Sequence, residues 1–260
     1  MTTTLTTFES HLREQRDQGR KLLIPYLMGG MTEDWGRTLD AVVAAGADAV
    51  EVGIPFSDPM IDGPVIQEAG LRALNRGTVP EQVLDTIARA EAPVPIAMMT
   101  YYNIVFRAGH KRMAHSLMTS GVTGAIIPDL SLEEVEPWAL EADAAGVATV
   151  MLVAPSSPPE RVERICARAR GFVYAVARMG VTGERTDLGT GAAMVVERIR
   201  RYTDLPVCVG VGVSTPEQAA KVCEVADGVV VGSALVRRLL EEAGPDGAAS
   251  FVASLRSAID

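Results

Sequence analysis

One unit recurs along this chain of 260 residues. A helical pattern closes on a small residue and a glycine, and a short β-branched strand follows. AAGADAVEVG, TSGVTGAIIPD and AAGVATVMLV are the clearest copies, with Gly46, Gly121 and Gly146 placed as helix C-caps, and EVADGVVVGS is a looser one. The apolar runs LLIPYLM, VPIAMMTYY, FVYAVA and LPVCVGV complete a set of eight predicted strands, near 22–28, 48–53, 95–101, 123–128, 148–153, 172–177, 206–211 and 227–231. Helical patterns lie between them, for example at 34–45, 80–91, 133–145, 159–169, 191–202 and 215–224. Thr32, Ser131, Ser157-Pro158-Pro159 and Thr215-Pro216 mark several of their starts. Eightfold strand–helix alternation predicts a (β/α)8 barrel. An open doubly wound sheet is the competing architecture, and it requires a reversal of strand order that a sequence does not display.

Two additions to the barrel are visible. Residues 3–18 form an amphipathic helix with Leu5, Phe8 and Leu12 on one face and Gly19 as its stop, suited to covering the barrel bottom. Residues 62–76 form a second helix, after strand 2. With no linker and no break in composition, residues 1–260 read as one domain. The net charge of −9 argues against nucleic acid as a partner. No stretch reaches the roughly 18 apolar residues of a membrane span, and the N-terminus lacks the apolar core of a secretory signal. Cys166, Cys208 and Cys223 show no CxxC spacing and read as reduced core residues of a cytoplasmic protein.

Against this pattern Glu51 is an anomaly, a carboxylate inside a strand that ought to be wholly apolar. Burying it demands a partner, a raised pKa or a task. Alternation puts Ala49, Glu51 and Gly53 on one side of strand 2, with Val50 and Val52 toward the helices. Glu51 then faces the barrel interior near its C-terminal mouth, where barrel active sites lie. Asp62, on the loop after the same strand, can reach across that mouth. Such a pair divides labour: the buried Glu shuttles a proton, and the more exposed Asp stays ionised and orients positive charge. The alternative is a structural glutamate bonded to backbone or an arginine, with Asp62 capping helix 63–75.

Late glycines form a second constellation. VGVGVSTPEQ after strand 7 carries Gly210, Gly212 and Ser214. VVVGSALVRRLL after strand 8 carries Gly232 and Ser233, and RMGVTGERTDLGTG after strand 6 carries Gly180 and Gly183. Loops after strands 7 and 8 of such barrels hold phosphate on backbone N–H groups and a helix N-terminus. Tight turns are the plainer use of the same glycines. Lys21, Lys111 and Lys221 fall before strand 1 or on helices, away from the mouth, which disfavours Schiff-base or lysine-bound PLP chemistry. His11, His110 and His115 do not read as a metal triad, so no metal site is expected. No GxGxxG follows a strand, so no dinucleotide is indicated. What remains is acid–base chemistry on a phosphorylated small molecule.

The run VEVGIPFSDPMIDGP resembles the signature of the tryptophan synthase alpha subunit and joins both acids in fixed register. LLIPY, MMTYYN, IPDL, VYAVARMGVTG, GVGVSTPEQ and VVVGSALV extend the resemblance, in order, over essentially the whole chain. It implies retro-aldol cleavage of indole-3-glycerol phosphate to indole and glyceraldehyde 3-phosphate. Glu51 matches the family's proton shuttle, and Asp62 the acceptor for the indole N–H. Tyr174 matches a tyrosine near the glutamate, and Met99 and Tyr101 fall in the indole pocket. Gly183, Gly212, Gly232 and Ser233 match the phosphate-binding positions. The loop at 178–192 matches a lid that Thr182 orders against Asp62. Pro55 and Asp58 match a loop facing a PLP-dependent beta subunit in an alpha2-beta2 complex, so the PLP is expected on the partner and no cofactor on this chain. Pro55-Phe56-Ser57-Asp58-Pro59 also reads as a rigid turn and nothing more.

Two departures from the family pattern stand out. Met31 replaces an acid in the turn after strand 1, and Gly70 replaces an Asn in the helix after Asp62. Both bear on loop closure and coupling to a partner more than on the chemistry. Two other readings of the chain are a stand-alone indole-glycerol phosphate lyase and a phosphate-binding barrel that mainly activates a partner. Intact Glu51 and Asp62 disfavour the second of these.

Overall fold

Eight parallel strands close on themselves in chain order, β1 beside β2 and so on round to β8 beside β1. The computed structural model describes residues 7–176, 188–210 and 212–260. The strands are β1 (Leu22–Met28), β2 (Val50–Gly53), β3 (Ile96–Met99), β4 (Val122–Ile126), β5 (Ala148–Val153), β6 (Val173–Val176), β7 (Val207–Gly210) and β8 (Gly228–Val231). The helices are α1 (Phe8–Asp17), α2 (Trp35–Ala44), α3 (Pro64–Asn75), α4 (Pro80–Ala90), α5 (Tyr102–Ala108), α6 (His110–Thr119), α7 (Glu136–Ala145), α8 (Pro159–Arg168), α9 (Leu188–Arg200), α10 (Pro216–Cys223), α11 (Ser233–Leu240) and α12 (Gly244–Ile259). Closure in strict sequence order excludes the doubly wound sheet, whose order must reverse.

Strand alternation divides the core in two. Val50 and Val52 face the helix layer, while Leu22, Ile24, Ala49, Ala97, Ile126, Val150, Cys208 and Val230 fill the barrel interior. Helix α1 plugs the bottom of that interior with Phe8 and Leu12, both fully buried. Gly124 and Gly171 make room for it, since a Cβ on either would stand 3.1 and 2.7 Å from the Phe8 ring. Thr7 caps this helix by accepting from the Ser10 N–H, so of the expected span 3–18 the described helix begins at Phe8.

Gly46, Gly121 and Gly146 all follow helix ends at positive φ, where a Cβ is disfavoured. Thr215 caps α10 as its sequence suggests. Other boundaries moved. Strand 3 stops at Met99, because Tyr101 caps a short helix, α5, that the apolar run concealed. The helix expected from 133 starts at Glu136, since Ser131 and Glu134 close a turn on each other first. The start expected at Thr32 lies at Asp34.

The bottom of the barrel is tied by two aspartates that the repeated unit sets just before strands. Asp48 precedes β2 and accepts the Leu23 N–H of β1 at 2.8 Å. It also binds the Arg256 guanidinium of α12 at 2.9 Å and Arg20. Asp227 precedes β8, accepts the Val207 N–H of β7 at 2.8 Å and pairs with Arg200. In each case a carboxylate satisfies a backbone donor at the start of the neighbouring strand, Leu23 of β1 or Val207 of β7. Asp48 and Arg256 are 3% and 7% exposed, so removing Asp48 leaves the buried guanidinium with only the exposed Asp260 as a carboxylate partner and takes the acceptor from the Leu23 N–H. Asp48→Ala is expected to lower unfolding free energy by ~3–5 kcal/mol in urea titration. A loss under ~1 kcal/mol, the value of a surface pair, would contradict this role.

Candidate active site

Glu51 sits on β2 between Tyr26 of β1 and Ala97 of β3, its register partners. It shares the inward face with Ala49, and Ala97 leaves it room. The side chain is 1% exposed, and among the described residues its Oε2 has no hydrogen-bond partner. Burial, reinforced by the Asp62 charge, pushes its pKa from 4.5 to about 8.

Asp62 reaches the same cavity from the loop between β2 and α3. The N-cap of α3 is Gly63, with no side-chain cap, so Asp62 does not spend its carboxylate on the helix start. The loop is held from two sides. The Tyr101 hydroxyl accepts the Ile61 N–H at 3.1 Å, and the Gln67 amide donates to the carbonyls of Asp62 and Pro59 at 2.9 and 3.3 Å. Tyr101 in turn stacks on Phe56, with centroids 4.9 Å apart. Partial burial raises the Asp62 pKa, and the nearby Tyr101 hydroxyl opposes that shift by favouring the ionised form.

A cavity of about 190 Å³ opens at the barrel mouth, lined by Glu51, Asp62, Tyr26, Ile66, Met99, Tyr174, Val230, Gly210, Gly212, Gly232 and Ser233. Tyr101 borders a narrow apolar cleft that continues from Asp62 past Met28 and Ile54. At the end of β8, beyond Tyr26 of β1, Gly232 caps α11 with no side-chain bond, leaving the first N–H groups of that helix without an intrahelical partner. Gly212 has φ +59°, a conformation that favours glycine. Gly210 has another reason: a Cβ there would stand 2.4 Å from the Tyr174 ring. Ser214 bonds Gln218 through its N–H and hydroxyl, so it serves the start of α10. Thr182, Gly180 and Gly183, with most of the loop at 178–192, lie outside the described residues.

Tyr26, Ile66, Val230 and Gln67 were not singled out from the sequence. Tyr26 and Val230 share the inward alternation of their strands, which could have flagged them. Pro55 is buried and Asp58 exposed. Beside them Met60 and Ile61 are 92% and 55% exposed, an apolar loop tip also passed over. Met31 turns into the core, 6% exposed, and cannot act as the missing acid. Gly70 lies against Met28, whose Cε would be 3.6 Å from an added Cβ.

Fold and cavity together define a (β/α)8 barrel with an acid pair and a helix N-terminus lining one small cavity. The family model for the tryptophan synthase alpha chain matches residues 12–256. The chain belongs to that family. It is 43% identical to the tryptophan synthase alpha chain of Thermobifida fusca, over 95% of this chain and 94% of that one. It is 44% identical to that of Halorhodospira halophila, over 98% and 97%. Among solved structures, tryptophan synthase subunit alpha from Legionella pneumophila superposes with TM-score 0.90 at 31% identity, covering 99% of both chains. Mycobacterium tuberculosis tryptophan synthase superposes with TM-score 0.89 at 36% identity, covering 97% of both.

The raised Glu51 pKa carries a stability consequence. Between pH 4.5 and about 8 the unfolded chain releases a proton that the folded chain retains. Stability therefore falls as pH rises through that window, by roughly 1.4 kcal/mol for each pH step of one. Glu51→Gln removes the effect. In urea titrations the variant should gain stability over wild type on going from pH 5 to pH 8, by on the order of a few kcal/mol. An unchanged difference at the two pH values would contradict a protonated, buried Glu51.

Proposed function

We propose that this chain cleaves indole-3-glycerol phosphate to indole and glyceraldehyde 3-phosphate, with Glu51 as proton shuttle and Asp62 as its electrostatic partner. One observation carries the proposal. Among the described residues Glu51 is a fully buried carboxyl whose Oε2 has no hydrogen-bond partner, held protonated at neutral pH, with a second carboxyl lining the same cavity. Two acids whose surroundings differ in this way are suited to different roles.

The reaction needs a proton delivered and a proton removed. Glu51 gives its proton to the indole ring carbon that bears the side chain, and the ring becomes an indolenine cation. Asp62 accepts a hydrogen bond from the indole N–H and stabilises that charge. The Glu51 carboxylate then takes the proton of the side-chain hydroxyl. The carbon–carbon bond breaks, its electron pair returns to the ring and the aldehyde forms. Glu51 ends protonated, so the cycle closes with no net proton change. The phosphate would rest on the N–H groups at Gly232 and Ser233, close to Gly212, with Gly183 completing the cradle. Met99, Tyr101 and Tyr174 would enclose the indole, and Thr182 would belong to the covering loop.

We further propose that indole passes to a PLP-dependent beta subunit in an alpha2-beta2 assembly and that this chain itself needs no cofactor. The loop bearing Pro55 and Asp58 ends in the exposed Met60 and Ile61, and α5 exposes Phe106. These apolar side chains beside the barrel mouth suit a protein partner.

Steady-state assays of the purified chain, alone and with added beta subunit, test the reading. Cleavage should be measurable alone and faster in the complex. Glu51→Gln should lose roughly 100-fold or more in kcat while still binding substrate. Substantial activity in that variant would sink the assignment. A rate independent of the beta subunit would favour a stand-alone lyase.

A further inference from the structure

Tyr26 is buried at the centre of the site, and the reaction as derived above leaves it unused. It is 6% exposed, pairs in register with Glu51 on the adjacent strand, and lines the cavity with both acids. Its ring leans across β2: a Cβ on Gly53, two residues beyond Glu51 on the same face, would stand 2.0 Å from the Tyr26 hydroxyl. Glycine at 53 therefore admits the phenol to the level just above Glu51. Tyr174 repeats the device on the opposite wall. Its register partner is Cys208, and its ring overlies Gly210, again two residues on.

The hydroxyl has been brought there without a good partner. It meets the Met28 sulfur at 4.0 Å, a weak acceptor. Among the described residues this buried phenol has only a weak acceptor, and the Glu51 Oε2 that lines the same cavity has no donor. Tyr26 also feels the charges of both Asp62 and Glu51, whereas of the two acids only Glu51 acts on Tyr174. Burial holds both phenols protonated well beyond neutral pH, so Tyr26 is a donor throughout the working range.

We propose that the Tyr26 hydroxyl is the switchable donor of this site, a positioning residue that turns from Met28 to the Glu51 carboxylate once that acid gives up its proton. The inference rests on the proposed proton-shuttle role of Glu51. At that moment two carboxylates share one cavity, and a phenol donor offsets their repulsion. The donor stabilises the ionised form needed for the second half of the reaction without discharging the protonated form needed for the first. Gly53 is then part of the same device.

Tyr26→Phe tests this with little change of shape. The Glu51 carboxyl is followed by NMR in protein carrying 13C at glutamate side-chain carboxyls, its signal assigned by loss in Glu51→Gln. Facing Glu51 are Asp62 from the β2–α3 loop and Tyr174 from β6, with Tyr101 beyond Asp62, and all three are unchanged in the variant. The Glu51 titration should move up by about one pH unit, and kcat should fall about tenfold with KM within about twofold of wild type, as expected for losing a hydrogen bond to a charged group. Gly53→Ala, which displaces the hydroxyl, should move the titration the same way. An unshifted titration in Tyr26→Phe overturns the proposal, and so does a shift in Gly53→Ala alone. The titration needs no turnover. If wild type fails to cleave substrate, the proposed reaction falls, while the Tyr26–Glu51 contact is still decided by NMR.

Discussion

Everything at the barrel mouth depends on keeping one carboxyl out of water. Glu51 has Ala49 and Gly53 on its own inward face, Ala97 on one side and Tyr26 on the other, and among the described residues its Oε2 is left without a partner. In such surroundings the charged form is penalised and the proton stays on, so a residue that would be a base on the surface becomes a neutral acid. The fold tolerates this because the rest of the interior is densely apolar. Its polar needs are met at the other end, where Asp48 and Asp227 tie strand starts to helices α12 and α9. Stability and chemistry are thereby assigned to opposite faces of one barrel.

The second acid is held by different means. Asp62 stands on a loop and owes its position to Tyr101 and Gln67, which grip the backbone on either side. A carboxylate placed this way is half-buried and can move with its loop. Glu51 on a barrel strand cannot. The pair therefore joins a fixed proton donor to an adjustable charge, an arrangement in which substrate binding can complete the site. The exposed Met60 and Ile61 lie on the same loop, so whatever covers them is mechanically connected to Asp62.

The sequence made some of this legible and concealed the rest. The repeated Gly-then-strand unit announces a barrel, because helix caps and β-branched runs are local signals. The inward aim of Glu51 follows from alternation alone, and the plug formed by Phe8 and Leu12 from helical spacing. Contacts set by register were not legible. Nothing in VEVGIPF says that Gly53 is glycine because the Tyr26 hydroxyl lies over it, since that depends on how β1 and β2 align. The partnership of Asp48 with Arg256 spans 208 positions and involves a C-terminal helix that the strand–helix count did not require. Gly210, read with the phosphate glycines, answers to Tyr174 instead. Asp62 had the spacing of a helix cap, yet Gly63 takes that position and frees the acid.

The central claim is that Glu51 enters the reaction as a neutral acid. The pH dependence of kcat/KM for indole-3-glycerol phosphate cleavage by the isolated chain tests it most directly, because that ratio reports ionisations of the free enzyme. The account predicts activity that holds up to neutral pH and falls tenfold per pH unit above about 8, where Glu51 ionises. Activity that keeps rising through that pH, or stays flat beyond it, would show that the reaction begins from the carboxylate and would contradict the account.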